Sequence, residues 1–388
     1  MDKVGIIGVG QTSFVRNYPG SIKEMAFEAY KEAARDAGIT SKDIEASIIC
    51  SAPEYDKQRS PAGVVAEYIG LNPQPTFYLE TLCSSSTTGV KLAYSMIKAG
   101  LHDVVAVIGV QKMSEISSAE SQERMGRGTD IQWESPFGTM MPAYYAMFAQ
   151  YHMNKYGTTH DDLREIRLKS AEYGLVNERA VFRKNLTMDD LKNPTSKMAE
   201  VVASPLTVGD CCANADGASC IIIANYEKAK AFSKKPVWIL GIGSATNSVN
   251  MSKREDFSEL TAARIAADAA YNMAGIVSKN VDVAEVHDCF TIAELMAYEN
   301  LGFVEPGGGK ELIRGSETRK EGEFPVNLDG GLLSKGHPIG ATGGSQIRTI
   351  VLQLREDAGA MQVENPEIGL VHNIGGVGLY ANVIIFGR

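Results

Sequence analysis

No run in this chain approaches the roughly 18 consecutive apolar residues that a membrane helix needs, so no helical membrane span is expected. Cysteine is sparse. Six residues, at positions 50, 83, 211, 212, 220 and 289, include no zinc-spaced pair and are too few for a disulfide scaffold. Basic residues are outnumbered, 38 Lys and Arg against 47 Asp and Glu, and the formal net charge of −9 argues against a nucleic-acid surface. A small anionic ligand stays possible, because a few local cations suffice for one. The opening Met1–Gly8 reads as a strand and not as a signal peptide. A reducing cytoplasm is the expected compartment, in which a single cysteine is catalytic or buried and not bridged. What remains is an ordinary globular composition, 44% apolar and 22% charged, over 388 residues, enough for more than one domain-sized unit.

The chain repeats itself once. Val4-Gly5-Ile6-Ile7-Gly8-Val9-Gly10 and Val237-Trp238-Ile239-Leu240-Gly241-Ile242-Gly243 both read as an apolar strand entering a Gly-x-Gly turn. Alanine-rich helices follow, about 21–37 and 260–274, each closed by Gly-Ile (Gly38-Ile39, Gly275-Ile276). Ser41-Lys42-Asp43-Ile44 and Ser278-Lys279-Asn280-Val281 then lead into third elements at Ala46–Cys50 and Ala284–His287. Agreement in this order predicts two homologous α/β halves, 1–230 and 231–388, packed together because each alone leaves a sheet face bare. A dinucleotide site is rejected: the first Gly-x-Gly lacks the third glycine and the acidic residue about 20 positions on.

A polar segment of about 115–202 has no counterpart in the second half. It carries Gly126-Arg127-Gly128, Trp133, Phe137, Met140, Met141 and Pro142. Each apolar side chain taken singly reads as core, yet an insertion this long reads as the substrate side of the molecule.

Four places carry reactive residues. Cys83 lies among Ser84, Ser85, Ser86 and Thr87 before a helix to about Ala99; the helix dipole is expected to favour its thiolate, against the plain alternative of a buried free thiol. His287-Asp288-Cys289-Phe290 follows a short strand, where the first half has only Cys50-Ser51-Ala52. His287 and Cys289, two apart on extended chain, can face one cleft. With no further ligand at a sensible spacing, acid/base work is expected there and a metal is not. Gly336-His337-Pro338-Ile339-Gly340 sets a histidine in a glycine-rich loop before a helix expected over Ser345–Arg355. Last, His372-Asn373-Ile374-Gly375-Gly376 reads as the turn of a terminal hairpin, whose glycine N–H groups are free to hold an oxyanion.

Cys83, then His287-Asp288-Cys289-Phe290, then Gly336-His337-Pro338, then Asn373-Ile374-Gly375-Gly376 together resemble the thiolase superfamily over nearly the whole chain. The common type carries Asn-Glu-Ala-Phe at 287–290 and a second catalytic cysteine at 373. This chain is similar instead to the sterol-carrier-protein-type and archaeal thiolases. The resemblance implies a five-layered α-β-α-β-α core of two βαβαβαββ halves with a loop domain. It also implies thiolysis of a 3-ketoacyl-CoA, or the reverse Claisen condensation, through an acyl-cysteine on Cys83. Cys289 would then be the acid/base, His337 and His287 would hold the enolate oxygen, and the N–H groups of Cys83 and Gly375 would hold the tetrahedral oxyanion. Coenzyme A is implied as co-substrate, with no tightly bound cofactor and no metal. So are a homodimer or dimer of dimers and a small companion combining a zinc ribbon with an OB-fold domain. The acyl group stays open, from acetoacetyl to an aromatic benzoylsuccinyl thioester. Competing readings are a ketoacyl synthase, in which Cys289 has no task, a hydroxymethylglutaryl-CoA synthase, which wants a glutamate base, and a non-catalytic scaffold.

Overall fold

Strands buried on both faces build the framework of the computed structural model, which describes residues 3–55, 58–138 and 140–388. Met1 and Asp2, included above in the first strand, lie outside the described residues. The strands are β1 (Val4–Gln11), β2 (Ala46–Cys50), β3 (Thr76–Leu79), β4 (Val104–Gln111), β5 (Val201–Ala203), β6 (Leu206–Thr207), β7 (Gly217–Asn225), β8 (Val237–Thr246), β9 (Val283–Glu285), β10 (Ile368–Gly375) and β11 (Tyr380–Gly387). Nine of them form one sheet in the order β3-β2-β4-β7-β1-β8-β11-β10-β9. Its two parts meet edge to edge where Gly5 faces Trp238 and Ile6 faces Val237. Outward from that seam each part has the same sequence of antiparallel neighbours and then a parallel one. The second part ends early: where the first has β3, it has a single bridge between Ala284 and Val326.

Alternate residues of a strand point to opposite faces, and the cores separate accordingly. Ile7, Ile49 and Ile108 face the helix Ile22–Ala37. Ile6, Ile48 and Val107 face inward, where they meet Val90 and Ile97 of helix Ser85–Lys98 and Ile347 and Ile350 of helix Thr342–Arg355. From the other side Val371 and Ile384 reach that same central core, while Val383 and Ile385 turn outward to helix Thr261–Ala274. The result is the five-layered α-β-α-β-α arrangement, with two helices as its middle layer.

The Gly-x-Gly pairs are not turns. β1 and β8 continue through them, each with a register shift just before the first glycine, at Ile7 and Leu240, and the glycines instead let a helix backbone lie on the strand. A Cβ on Gly8 or Gly10 would fall 2.2 or 2.1 Å from the carbonyl oxygens of Ala33 and Ala29. On Gly241 or Gly243 it would fall 2.2 or 1.7 Å from those of Ala270 and Ala266. The alanine richness of both helices has the same cause.

The segment after β4 forms the helices Ser118–Gly126, Met141–Tyr156, His160–Val176 and Met188–Lys192, and its apolar side packs on the second half through Tyr145, Phe148 and Ile166. Among the described residues no helix is long and apolar enough to cross a membrane.

Close packing at these strands makes a sharp prediction. Gly243→Ala should destabilise the protein by about 1–3 kcal/mol through overpacking. Gly38→Ala, where φ is 70° but nothing lies within 4 Å, should cost less. Chemical unfolding of the two variants checks the order; equal losses would remove the packing explanation.

Candidate active site

Each reactive residue sits where regular structure ends. β3 leads to Cys83 through a tight turn with Leu82 at φ 54°, a left-handed conformation uncommon outside glycine. Hydroxyls hold that turn: Ser84 Oγ donates to Thr81 O at 2.8 Å and Ser85 Oγ to Leu82 O at 2.6 Å. β9 ends just before His287, and the main-chain N–H of Val286 donates to Asn327 Oδ1 at 2.8 Å, fixing the exit direction. His337 follows the short helix Gly331–Lys335, which is pinned from three sides. Asp288 accepts the N–H groups of Leu332 and Leu333 at 2.7 and 3.3 Å. Arg167 donates to Leu333 O at 3.0 Å, and buried Lys335 pairs with Asp329. Gly331 is glycine because a Cβ there would lie 2.1 Å from Asp288 Oδ2, besides its positive φ of 56°.

These ends converge on one cavity of 340 Å³. Its wall includes Cys83, His287, Cys289, His337, Cys212 and Tyr145. Cys83 Sγ and one nitrogen of each imidazole lie within 4.8 Å of one another, and the imidazole centroids are 5.1 Å apart at 82°. The sequence put no further ligand beside His287; the fold brings two donors to it from distant segments.

Hydrogen bonds decide which ring nitrogens carry protons. Thr342 Oγ1 donates to Pro338 O at 3.0 Å and so accepts from His337 Nδ1 at 2.7 Å. His337 therefore presents a lone pair at Nε2. As the structure orients it, the Asn373 amide N–H points at His287 Nδ1 at 2.9 Å, and its Oδ1 lies 2.9 Å from Thr87 Oγ1, which is also 2.9 Å from Ser84 O. His287 therefore presents Nε2–H, and this buried nitrogen has no partner among the described residues. One imidazole accepts and the other donates.

Burial keeps the site neutral. It pushes the Cys83 thiol up to about 12, with Glu80 adding to the shift and the N–H groups of Gly376 and Cys83 itself opposing it. Cys289 is pushed well above the usual thiol range by burial and by Cys83 and Asp288, while the Tyr145 hydroxyl opposes the shift. Burial brings His337 down to about 4 and takes His287 well below the usual imidazole range, with His337 and His372 adding to the latter. Burial thus moves the Cys83 thiol in the direction opposite to the thiolate expected of a helix N-terminus; the helix begins at Ser85, with Ser84 as its cap.

Two further expectations shift. The glycine N–H directed at Cys83 is that of Gly376; Gly375, expected from the sequence, is still paired in β10 opposite Tyr380. The helix after His337 starts at Thr342, three residues before the expected Ser345. Of the insertion residues singled out, Arg127, Gly128, Met141 and Pro142 line the cavity, whereas Trp133 and Phe137 are 73% and 82% exposed. The sequence reading missed Tyr145, Thr342 and Cys212. Thr342 had a local signal, a hydroxyl on the first helical turn after the histidine. Tyr145 had none, since only the tertiary fold carries it to Cys289.

Comparison with known proteins agrees with this picture. Residues 4–165 match the family model described as thiolase, N-terminal domain, and residues 243–388 match that described as thiolase C-terminal domain-like. An acetyl-CoA acetyltransferase of Methanothermobacter thermautotrophicus is 36% identical over 100% of both chains. Benzoylsuccinyl-CoA thiolase subunit BbsB of Thauera aromatica is 31% identical over 96% of this chain and 95% of its own. The solved structure of the Ltp2-ChsH2(DUF35) aldolase superposes with a TM-score of 0.86 at 23% identity, covering 100% of this chain and 98% of that one.

A thiol at about 12 predicts how Cys83 meets a neutral alkylating agent. As pH rises the thiolate fraction grows tenfold per unit, so the rate of iodoacetamide inactivation should climb through pH 9 without levelling. A plateau near pH 7 would contradict the neutral resting site.

Proposed function

The chain belongs to the thiolase family, and from that premise we propose a mechanism in which Cys83 and Cys289 share one cavity as nucleophile and acid/base. The enzyme is a C-acyltransferase that cleaves a 3-ketoacyl-CoA with CoA or runs the reverse condensation. The observation that carries the mechanism is the convergence of two thiols and two oppositely poised imidazoles on a single cavity.

In the thiolytic direction, His337 Nε2 takes the Cys83 proton as the sulfur attacks the 3-keto carbon. This removes the need for a preformed thiolate. The oxyanion lies toward the Cys83 N–H and the Gly375-Gly376 turn. One such donor is worth roughly 2.7–4 kcal/mol of barrier. The Cα–Cβ bond then breaks. The enolate oxygen is held by His287 Nε2–H and by the Nε2–H that His337 has just acquired, and Cys289 delivers a proton to Cα. Free CoA gives its thiol proton to the Cys289 thiolate and attacks the acyl group on Cys83. His337 returns its proton to the departing sulfur. Deprotonating Cys83 thus converts the one accepting imidazole into the second donor that the enolate requires.

The competing readings lose ground. A ketoacyl synthase would account for Cys83 with two imidazoles but leaves Cys289 idle beside them. A hydroxymethylglutaryl-CoA synthase would need a glutamate base; of the two lining glutamates, Glu54 pairs with Arg127 and Glu80 accepts the Leu82 N–H at 2.6 Å. The 36% identical acetyl-CoA acetyltransferase favours a simple acyl group over the aromatic thioester named for the Thauera relative.

CoA thioesters are the substrates. A homodimer and a small zinc-ribbon/OB-fold companion are proposed as partners. The companion is supported by a fold neighbour whose title joins Ltp2 to a DUF35 protein, and by a relative named as a subunit. The cavity rim adds to this: Arg127, one of its two arginines, already pairs with Glu54 and Glu123. Division of the chain near residue 230 is likewise proposed, supported by the matching strand orders on either side of the β1–β8 seam.

Cys83→Ser should abolish acyl-enzyme formation and lower thiolysis of acetoacetyl-CoA by at least about 1,000-fold, read by acyl-CoA labelling and steady-state rates. Cys289→Ala should still acylate Cys83 but lose exchange of the acetyl-CoA α-protons with solvent. Full turnover in Cys83→Ser would overturn the mechanism.

A further inference from the structure

We propose that the Tyr145 hydroxyl is the positioning group for Cys289: it holds the neutral thiol toward the substrate carbon and donates its proton to the sulfur once that sulfur is charged. The inference rests on the acid/base role of Cys289 and adds to it a residue that supports this role in a buried cavity.

Tyr145 lies on the first turn of helix Met141–Tyr156, in the insertion that the second half lacks. It is 1% exposed and yet lines the cavity. Its ring stacks on Phe290, centroids 4.5 Å apart at 24°, so the phenol is fixed against the residue next to Cys289. Its hydroxyl donates to Gly376 O at 3.2 Å, and the phenol shares the cavity wall with Cys289, whose upward shift it opposes. The N–H of that same Gly376 points at Cys83. The phenol therefore stands between the wall that carries Cys289 and the Gly376 turn beside Cys83.

A phenol has a single proton to give. While Cys289 is a thiol, its S–H donates to the phenol oxygen and the phenol O–H donates to Gly376 O. When the S–H proton passes to the enolate carbon, the sulfur becomes an anion at a buried position. The phenol proton can then turn from Gly376 O to that sulfur, with no bond made or broken beyond the S–H. The rest of the surroundings disfavour the anion. Cys83 and Asp288 face it from neighbouring elements, Cys212 adds a third thiol, and Arg254 is the cation that reaches the phenol. Besides its own N–H, the phenol is the group that opposes the upward shift of this thiol.

Tyr145→Phe in the full chain tests this, because the ring and its stacking stay and only the hydroxyl goes. Cys83 acylation by acyl-CoA should stay within about twofold of wild type, while α-proton exchange of acetyl-CoA should fall about 10- to 100-fold. Losing a donor to the thiolate raises the pKa of Cys289, so the exchange–pH profile should also move toward alkaline pH. Installing 3-fluorotyrosine at position 145, a more acidic phenol of nearly the same shape, should restore exchange. Wild-type exchange with an unmoved profile in Tyr145→Phe overturns the proposal, as does failure of the fluorinated residue to restore exchange when acylation is intact. Normal exchange in Cys289→Ala instead overturns the acid/base role of Cys289, and this inference with it.

Discussion

Burial of the reactive side chains, nearly complete for His287, Cys289 and His337 and partial for Cys83, is the constraint on which this site depends. A thiol at about 12 and an imidazole at about 4 mean that Cys83 and His337 are both uncharged at neutral pH, as are Cys289 and His287. In such a place charge cannot serve as the standing store of reactivity, because an unpaired ion in low dielectric is costly. Direction serves instead. Thr342 leaves His337 with a lone pair and Asn373 leaves His287 with a proton. The catalytic set is poised by three neutral side chains, once Tyr145 is counted, none of which reacts.

Such directionality demands a rigid frame, and the frame is supplied from beneath by buried polar groups. Asp288 is held between burial and Glu294, which push it up to about 8, and the two backbone N–H groups of the 331–335 helix, which oppose them. Lys335 pairs with Asp329, and Thr349 Oγ1 on the central helix Thr342–Arg355 donates to the same carboxylate at 2.6 Å. A buried pair of this kind is a poor source of net stability but tolerates few alternative arrangements, since any slip leaves a charge unpaired. The loop bearing His337 is thereby tied both to the strand end bearing His287 and Cys289 and to the middle layer of the fold.

The sequence carried the parts of this that are local. Alternation of Gly with apolar residues followed by an alanine-rich helix revealed the repeated unit, because helix and strand that touch backbone to backbone must both be made of small residues. The meaning given to those glycines was wrong for the same reason: a strand glycine under a helix and a turn glycine look alike when only neighbours in the chain are visible. Cys83 and His337 were legible because each lies among small or hydroxylated residues that an apolar core would not choose, and His287 and Cys289 because the first half has only Cys50-Ser51-Ala52 at that place. The ionisation of Cys83 was misjudged, since the helix end is a feature of a few residues while desolvation sums over the whole cavity. Tyr145 could not be read at all, because its significance is a contact between residues 145, 289 and 376.

Asn373 shows how these observations fit together. The common members of the family that the chain resembles have a cysteine there, on the terminal hairpin, and an asparagine at position 287. This chain has His287 with Asn373. A histidine at 287 needs its tautomer fixed, or half its population would present a lone pair to an enolate that requires a donor. An amide held by Thr87, itself bonded by Asn382, provides the proton at Nδ1 that settles the matter. A cysteine at 373 would be a weak donor and would leave the imidazole free to choose. The exchange of asparagine for cysteine and of histidine for asparagine is therefore one coupled change. It vacates the hairpin as a place for the acid/base sulfur and leaves the strand end, within reach of the Tyr145 hydroxyl, as the position where that sulfur has a partner.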